Sequence, residues 1–153
     1  MNTTVVIVSF KSEHLIKKNI EHFDYNTPII IIDNSNNANL KKTIEGKYTN
    51  VKVLLNNNCG FGQAANLGAS LATTKYIFFC SPDNYAEKGA IYNLEHTCKN
   101  FNDEFGLLVL TDKKKIIKEI KKIYTPCGIS CFFVEKKTFF DLEGFDENFF
   151  LYY

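Results

Sequence analysis

Short, unbroken apolar runs alternate along the chain with stretches whose apolar residues fall three or four apart. Thr3 to Phe10 is Val/Ile-rich and continuous, which predicts a first strand. Ser12 stands as an N-cap before Glu13 to Phe23, where Leu15, Ile16, Ile20 and Phe23 share one side of a helix. Pro28 opens a second strand, Ile29 to Ile32, which ends at Asp33-Asn34-Ser35. Asn36 to Gly46 reads as a short helix, with Leu40 and Ile44 at i, i+4 and Gly46 as its stop. Val51 to Leu55 is a third strand. A polar, glycine-containing loop follows, then a small-residue helix over Gln63 to Thr73 (Ala64, Ala65, Gly68, Ala69, Ala72) suited to lying close on a sheet. Tyr76 to Cys80 has the continuous apolar character of a strand covered on both faces. Ser81-Pro82-Asp83-Asn84 stops it, because Pro82 has no N–H for the ladder. Glu87 to Phe101 predicts a helix and Phe105 to Leu110 a fifth strand.

This strand–helix alternation, at roughly 20 to 25 residues per unit, predicts βαβ units with right-handed crossovers. The expected fold class is α/β: a Rossmann-like, three-layer α/β/α sandwich with a mostly parallel central sheet. Beyond Asp112 the pattern weakens. Lys113 to Lys122 is basic and carries Ile116, Ile117 and Ile120. It suits a helix or an exposed hairpin, and either a surface for an anionic acceptor or membrane or a plain solvated face. Tyr124 to Val134 reads as a strand interrupted at Pro126-Cys127-Gly128, and Lys136 to Leu142 as a short helix ending near Gly144. The chain closes on the aromatic-rich run Phe145 to Tyr153.

Composition narrows the classes. The 153 residues suffice for one domain over 1–153 with a sizeable core. At 45% hydrophobic and 23% charged the chain is globular rather than disordered. A net charge of +1 gives no bulk electrostatic ground for nucleic acid. No apolar run is long enough to span a membrane, and the start lacks a basic n-region, so a cytoplasmic protein is expected, at most peripheral to the inner face of the membrane. Five scattered cysteines match no zinc spacing, and Cys127 and Cys131 do not form a CxxC, which favours reduced thiols.

The candidate chemistry lies where predicted strands end. In open α/β sheets ligands bind outside the carboxyl ends of the strands. Strand one ends at Ser9-Phe10, where an aromatic ring can stack on a base. Strand two ends at Asp33, whose carboxylate can accept the imide N–H of uracil or thymine. Strand four ends at Asp83, a carboxylate able to hold a divalent cation and through it a diphosphate. Gly60-Phe61-Gly62 precedes a helix, where free N–H groups favour an anion or a closely approaching ribose, and Asn66 lies one turn in. Each feature also has a plain structural reading: Asp33 and Asp83 as turn formers, Phe10 as core, the glycines as tight packing. Their common placement at one predicted sheet edge favours a nucleotide. A dinucleotide-dependent oxidoreductase fits poorly, because its glycine fingerprint follows the first strand and here the glycines follow the third.

These segments, in this order, resemble the inverting family 2 glycosyltransferases of the GT-A fold, and most closely their rhamnosyltransferase-like branch. Val5 to Phe10 is similar to the family's opening strand, and Ile30 to Ser35 to its Asp-Asn-x-Ser segment. Asn58 to Gly68 is similar to its Asn-x-Gly-Phe…Asn-x-Gly segment. Ser81-Pro82-Asp83 stands where the family has Asn-Pro-Asp, its variant of the DxD motif. Cys127-Gly128 through Tyr152 resembles the acceptor-side segment, in which Asp146 and Glu147 read as loop-ordering carboxylates.

The resemblance implies a nucleotide site of Ser9, Phe10, Asp33, Asn34, Gly60, Phe61, Gly62, Asn66, Ser81 and Asp83, with Asp83 binding Mg²⁺ or Mn²⁺. It implies transfer of a sugar such as rhamnose from a dTDP- or UDP-linked donor to a saccharide or lipid-linked saccharide acceptor, in polysaccharide or glycolipid assembly. Lys11 replaces a usual Asn, and Ser81 replaces the first residue of the DxD-type motif. The family's Glu-Asp pair, which supplies the general base, would fall just past Tyr153. The alternative is therefore a non-catalytic nucleotide-sugar-binding fragment or degenerate module. An uncovered Phe145 to Tyr153 segment would favour self-association.

Overall fold

The computed structural model describes residues 1–100, 107–109 and 131–151. Its elements run β1 (Thr3–Ser9), α1 (Glu13–Ile20), β2 (Ile29–Asp33), α2 (Ala38–Lys47), β3 (Val51–Leu55), α3 (Phe61–Leu71), β4 (Tyr76–Cys80), α4 (Ala90–Asn100), β5 (Leu108–Val109), β6 (Cys131–Glu135) and α5 (Lys136–Asp141). Among the described residues six strands form one sheet in the order β3-β2-β1-β4-β6-β5. β1 to β4 are mutually parallel, and β6 runs antiparallel to both β4 and β5. This is a Rossmann-like α/β/α sandwich, mostly parallel as the alternation predicted.

Strand alternation divides the core between two faces. Val5, Ile7, Ile29, Ile31, Val53 and Phe78 point to one side, where Ile16 and Ile20 of α1, Leu40 and Ile44 of α2, and Ile91 and Leu94 of α4 cover them. Val6, Ile30, Ile32, Ile77, Phe79 and Phe132 point to the other, under Ala64, Ala65 and Ala69 of α3 and Phe139 of α5. Both faces are therefore dry, which is why β2 and β4 are apolar at almost every position.

Helix ends differ in detail from the periodicity. α1 stops at Ile20, and residues 21–23 close as turns on Lys17, Asn19 and Ile20 carbonyls. Ser12 precedes α1 without capping it through its side chain; its hydroxyl donates backwards to the Phe10 carbonyl (2.9 Å). α2 begins later than expected, because Asn36 takes a left-handed φ of 54° and Asn37 caps the helix, its Oδ1 accepting from the Asn39 and Leu40 N–H groups. It runs through Gly46, the expected stop, to Lys47. α4 starts at Ala90, after Gly89 at φ 81°. The basic run 113–122, Cys127, Gly128 and the final two tyrosines lie outside the described residues.

Candidate nucleotide and metal site

The carboxyl ends of β1, β2 and β4 bring Ser9-Phe10, Asp33-Asn34 and Ser81-Pro82-Asp83 to one edge of the sheet, with Gly60 entering α3 beside them. Phe10 is 47% exposed, so it is not core, and the Lys11 ammonium lies 5.3 Å from its ring centroid. Lys11 takes a left-handed φ of 52°, a conformation that Asn adopts more readily, and its N–H donates to Ser35 Oγ (2.9 Å). Ser9 is fully buried, and its hydroxyl has no partner among the described residues.

Asp33 is also fully buried. Its carboxylate organises its own loop: Oδ1 accepts from the Ser35 hydroxyl (2.6 Å) and Oδ2 from the Asn37 N–H (2.7 Å). Each oxygen has further acceptor capacity. Asp83, by contrast, is exposed. Among the described residues no group of three His, Cys, Asp or Glu side chains could enclose a metal ion. One open carboxylate fits a hard cation of the Mg²⁺ type, which keeps several waters and takes its other ligands from substrate phosphates.

Three asparagines knit this edge together, and each holds a different loop. Asn34 is buried; its Nδ2 donates to the Gly60 carbonyl (3.0 Å), and its Oδ1 accepts from Asn56 Nδ2 (2.9 Å), tying the end of β2 to the glycine loop. Asn66 grips the segment after α5: its Oδ1 accepts from the Phe145 N–H, and its Nδ2 donates to the Phe145 carbonyl and Glu147 Oε1, all at 2.9–3.0 Å. Its amide thus faces residues 144–147, a position that helical spacing alone did not indicate.

The third asparagine, Asn19, escaped the sequence reading. It lies fully buried on α1 and donates through Nδ2 to the carbonyls of Ser81 (3.2 Å) and Asn84 (2.6 Å), the two residues that bracket Pro82-Asp83. The available signal was an amide on the apolar face of a helix, three residues after Ile16: a buried polar side chain at such a place requires partners.

The glycine loop is held as tightly. Gly60 has φ 87°, and a Cβ there would lie 2.3 Å from the Phe150 carbonyl oxygen, which also accepts the Phe61 N–H (3.1 Å). A Cβ on Gly62 would meet Phe145 at 3.1 Å. Phe145 joins an aromatic cluster with Phe61, Phe79, Phe132 and Phe139, ring centroids 5.4–5.9 Å away. Asp146 Oδ1 accepts from the N–H and side chain of Asn148, and Glu147 accepts from Asn66 and Gln63. Phe149, Phe150 and Leu151 remain 51%, 51% and 56% exposed.

Two thiols flank the same edge. Cys80 closes β4 and meets Cys131 of β6, Sγ to Sγ 3.7 Å. Their shared hydrogen bond and burial push the Cys80 thiol well above the ordinary range, while the same bond pulls Cys131 down.

The fold is that of a Rossmann-like α/β domain whose candidate residues meet at one sheet edge. The sequence matches the Glycosyl transferase family 2 over residues 4–136, and the chain belongs to that family. No curated protein sequence is significantly similar to it. Among solved structures, S. aureus TarS 1-349 in complex with UDP superposes with a TM-score of 0.75 at 16% identity, covering 98% of this chain and 52% of that one. The complex of TarS 1-349 with UDP-GlcNAc gives 0.72 at 16% identity, covering 94% and 48%. The mannosyltransferase PcManGT from Pyrobaculum calidifontis, in complex with GDP-Man and Mn²⁺, gives 0.70 at 14% identity, covering 96% and 48%. The chain therefore spans about half the length of the structures it matches. Among the described residues no helix is long and apolar enough to cross a membrane.

Proposed function

We propose that this domain binds a nucleoside-diphosphate sugar at the carboxyl edge of β1, β2 and β4 and serves inverting glycosyl transfer. The observation that carries the reading is the convergence there of an exposed Phe10, a loop ordered by Asp33, the Gly60 turn and the open Asp83 carboxylate. Binding of UDP, UDP-GlcNAc and GDP-Man with Mn²⁺ by structures of the same fold supports it.

In this reading Phe10 stacks on the base, and Asp33, buried and bonded to Ser35 and Asn37, accepts the imide N–H once its loop opens to the base. Ser9 underlies the base from its buried position, and the Gly60–Gly62 loop, packed on Phe150 and Phe145, forms the wall beside the ribose. Asn34 and Asn66 act by holding the loops, and Ser81 continues the wall towards Asp83. Asp83 anchors Mg²⁺ or Mn²⁺, which when bound stabilises the charge on the departing diphosphate. An acceptor hydroxyl would then attack the anomeric carbon from the opposite face as its bond to the diphosphate oxygen breaks, and the hydroxyl proton would pass to a base that the described residues do not supply. A uridine or thymidine nucleotide suits Asp33, and rhamnose follows from the branch the sequence resembles. The acceptor would be a saccharide or lipid-linked saccharide at the inner membrane face, meeting Cys127, Gly128 and the 146–147 segment. Residues 1–153 act as one nucleotide-sugar-binding domain.

A second reading, binding without transfer, is favoured by the commitment of Asp146 and Glu147 to loop bonds, which leaves neither poised as a base. Calorimetric titration with UDP and dTDP, each with and without Mn²⁺, tests the site. The expected outcome is Mn²⁺-dependent binding that falls at least tenfold in Asp83→Ala; binding of neither nucleotide would remove the donor-site reading. Release of nucleotide from a UDP- or dTDP-sugar, measured with a saccharide acceptor, separates transfer from binding.

The exposed Phe149-Phe150-Leu151 patch supports self-association of this chain. Sedimentation coefficients rising with concentration, and flattened in Phe150→Ser, are the expected result; a constant monomer value would refute it.

A further inference from the structure

The β4–β6 ladder places Cys80 directly opposite Cys131. The Lys136 N–H donates to the Lys75 carbonyl (2.9 Å), so residues 75 and 136 face each other as a hydrogen-bonded pair. Antiparallel pairs alternate, which makes 76/135, 78/133 and 80/131 the non-hydrogen-bonded positions. At such positions the Cα atoms stand about 4.5 Å apart with side chains on one face. That separation lies within the range a disulfide spans, about 4.4–6.8 Å. The two sulfurs are already in contact at 3.7 Å. Cys131 is half-buried and reachable from solvent, whereas Cys80 is buried behind it. The remaining described cysteines, Cys59 and Cys98, lie on the glycine loop and on α4.

We propose that Cys80 and Cys131 form a peroxide-oxidisable dithiol, closing as a cross-strand disulfide at the edge that carries Asp83. The step balances in two stages. The Cys131 thiolate attacks hydrogen peroxide, the O–O bond breaks, and a sulfenic acid forms with release of hydroxide. Cys80 sulfur then displaces the sulfenic oxygen as hydroxide, giving the S–S bond, and its proton completes a water. Two thiols lose two electrons and two protons, and one peroxide becomes two waters. A reducing dithiol reverses the link by exchange. Closure also consumes the Cys80 S–H group, which now points to the Ser81 and Asn84 carbonyls at 3.5 Å.

The experiment treats the full 153-residue chain with near-stoichiometric hydrogen peroxide, alkylates it under denaturing conditions and maps peptides by mass spectrometry. Expected are the loss of two alkylatable thiols, a mass decrease of two hydrogens, a linked Cys80–Cys131 peptide, and full reversal by dithiothreitol. In Cys80→Ser the sulfenic acid on Cys131 should persist and be trapped by dimedone. Five alkylatable thiols after treatment, or links scattered over the other cysteines, would overturn the proposal. The wild-type peptide map decides the matter even where a variant folds poorly.

Discussion

At the scale of single residues, Asn19 shows how much of the site depends on groups that touch no ligand. Its Nδ2 bonds the two carbonyls that flank Pro82-Asp83, and its Oδ1 has no partner among the described residues. A buried carbonyl that loses its donor carries a desolvation penalty of about 1–3 kcal/mol. Asn19→Leu keeps the branched shape and removes the donor. Chemical denaturation should show a loss of about 1–3 kcal/mol. Mn²⁺-dependent nucleotide affinity should fall while metal-free affinity holds. Asn50→Ala is the control: it removes a comparable bond, Asn50 Nδ2 to the Thr27 carbonyl (2.8 Å), at the amino ends of β2 and β3. It should cost stability without changing the Mn²⁺ effect. Equal effects of both variants on the Mn²⁺ response would reduce Asn19 to general stabilisation.

Among the elements, α3 couples core and site. Ala64, Ala65 and Ala69 let it approach the sheet, and Gly68 makes the closest contact, where a Cβ would stand 2.5 Å from Val6 Cγ1 and 3.3 Å from Ile32 Cγ1. Both neighbours are buried in strands and have little room to yield. Gly68→Ala gains helix propensity but overpacks the interface, and overpacking typically costs about 1–3 kcal/mol. A lower midpoint in urea is expected, and an unchanged or raised midpoint would show that the helix can lift. Small residues at helical spacing were visible in the sequence, as was the glycine turn before them. What the spacing did not carry was the start of α3 at Phe61, because Phe61 donates to the distant Phe150 carbonyl.

Over the whole molecule, burial also sets a pH response. Cys98 of α4 is buried beside the sheet, and desolvation raises its thiol from 9.0 to about 11. The folded state therefore keeps this proton where the unfolded chain releases it. Its contribution to stability is complete below pH 9.0 and is lost as pH rises towards 11. Denaturation of wild type and Cys98→Ala across pH 8 to 11 should show their difference in stability shrinking through that window. A pH-independent difference would place Cys98 in contact with water.

The amino-acid sequence by itself determined the strands, the doubly covered sheet and the polar stops that bring Phe10, Asp33, Gly60 and Asp83 to one edge. Continuous apolar runs and turn residues are local signals, and parallel βαβ geometry carries them to a common side. Only the tertiary structure decided how those stops are held. Asn19 reaches Ser81 and Asn84, Asn34 reaches Gly60, and Asn66 reaches Phe145. It also decided that β6 runs antiparallel and sets Cys131 against Cys80. Strand direction and register arise from long-range packing, and a buried amide finds its partners only when distant segments have been brought together.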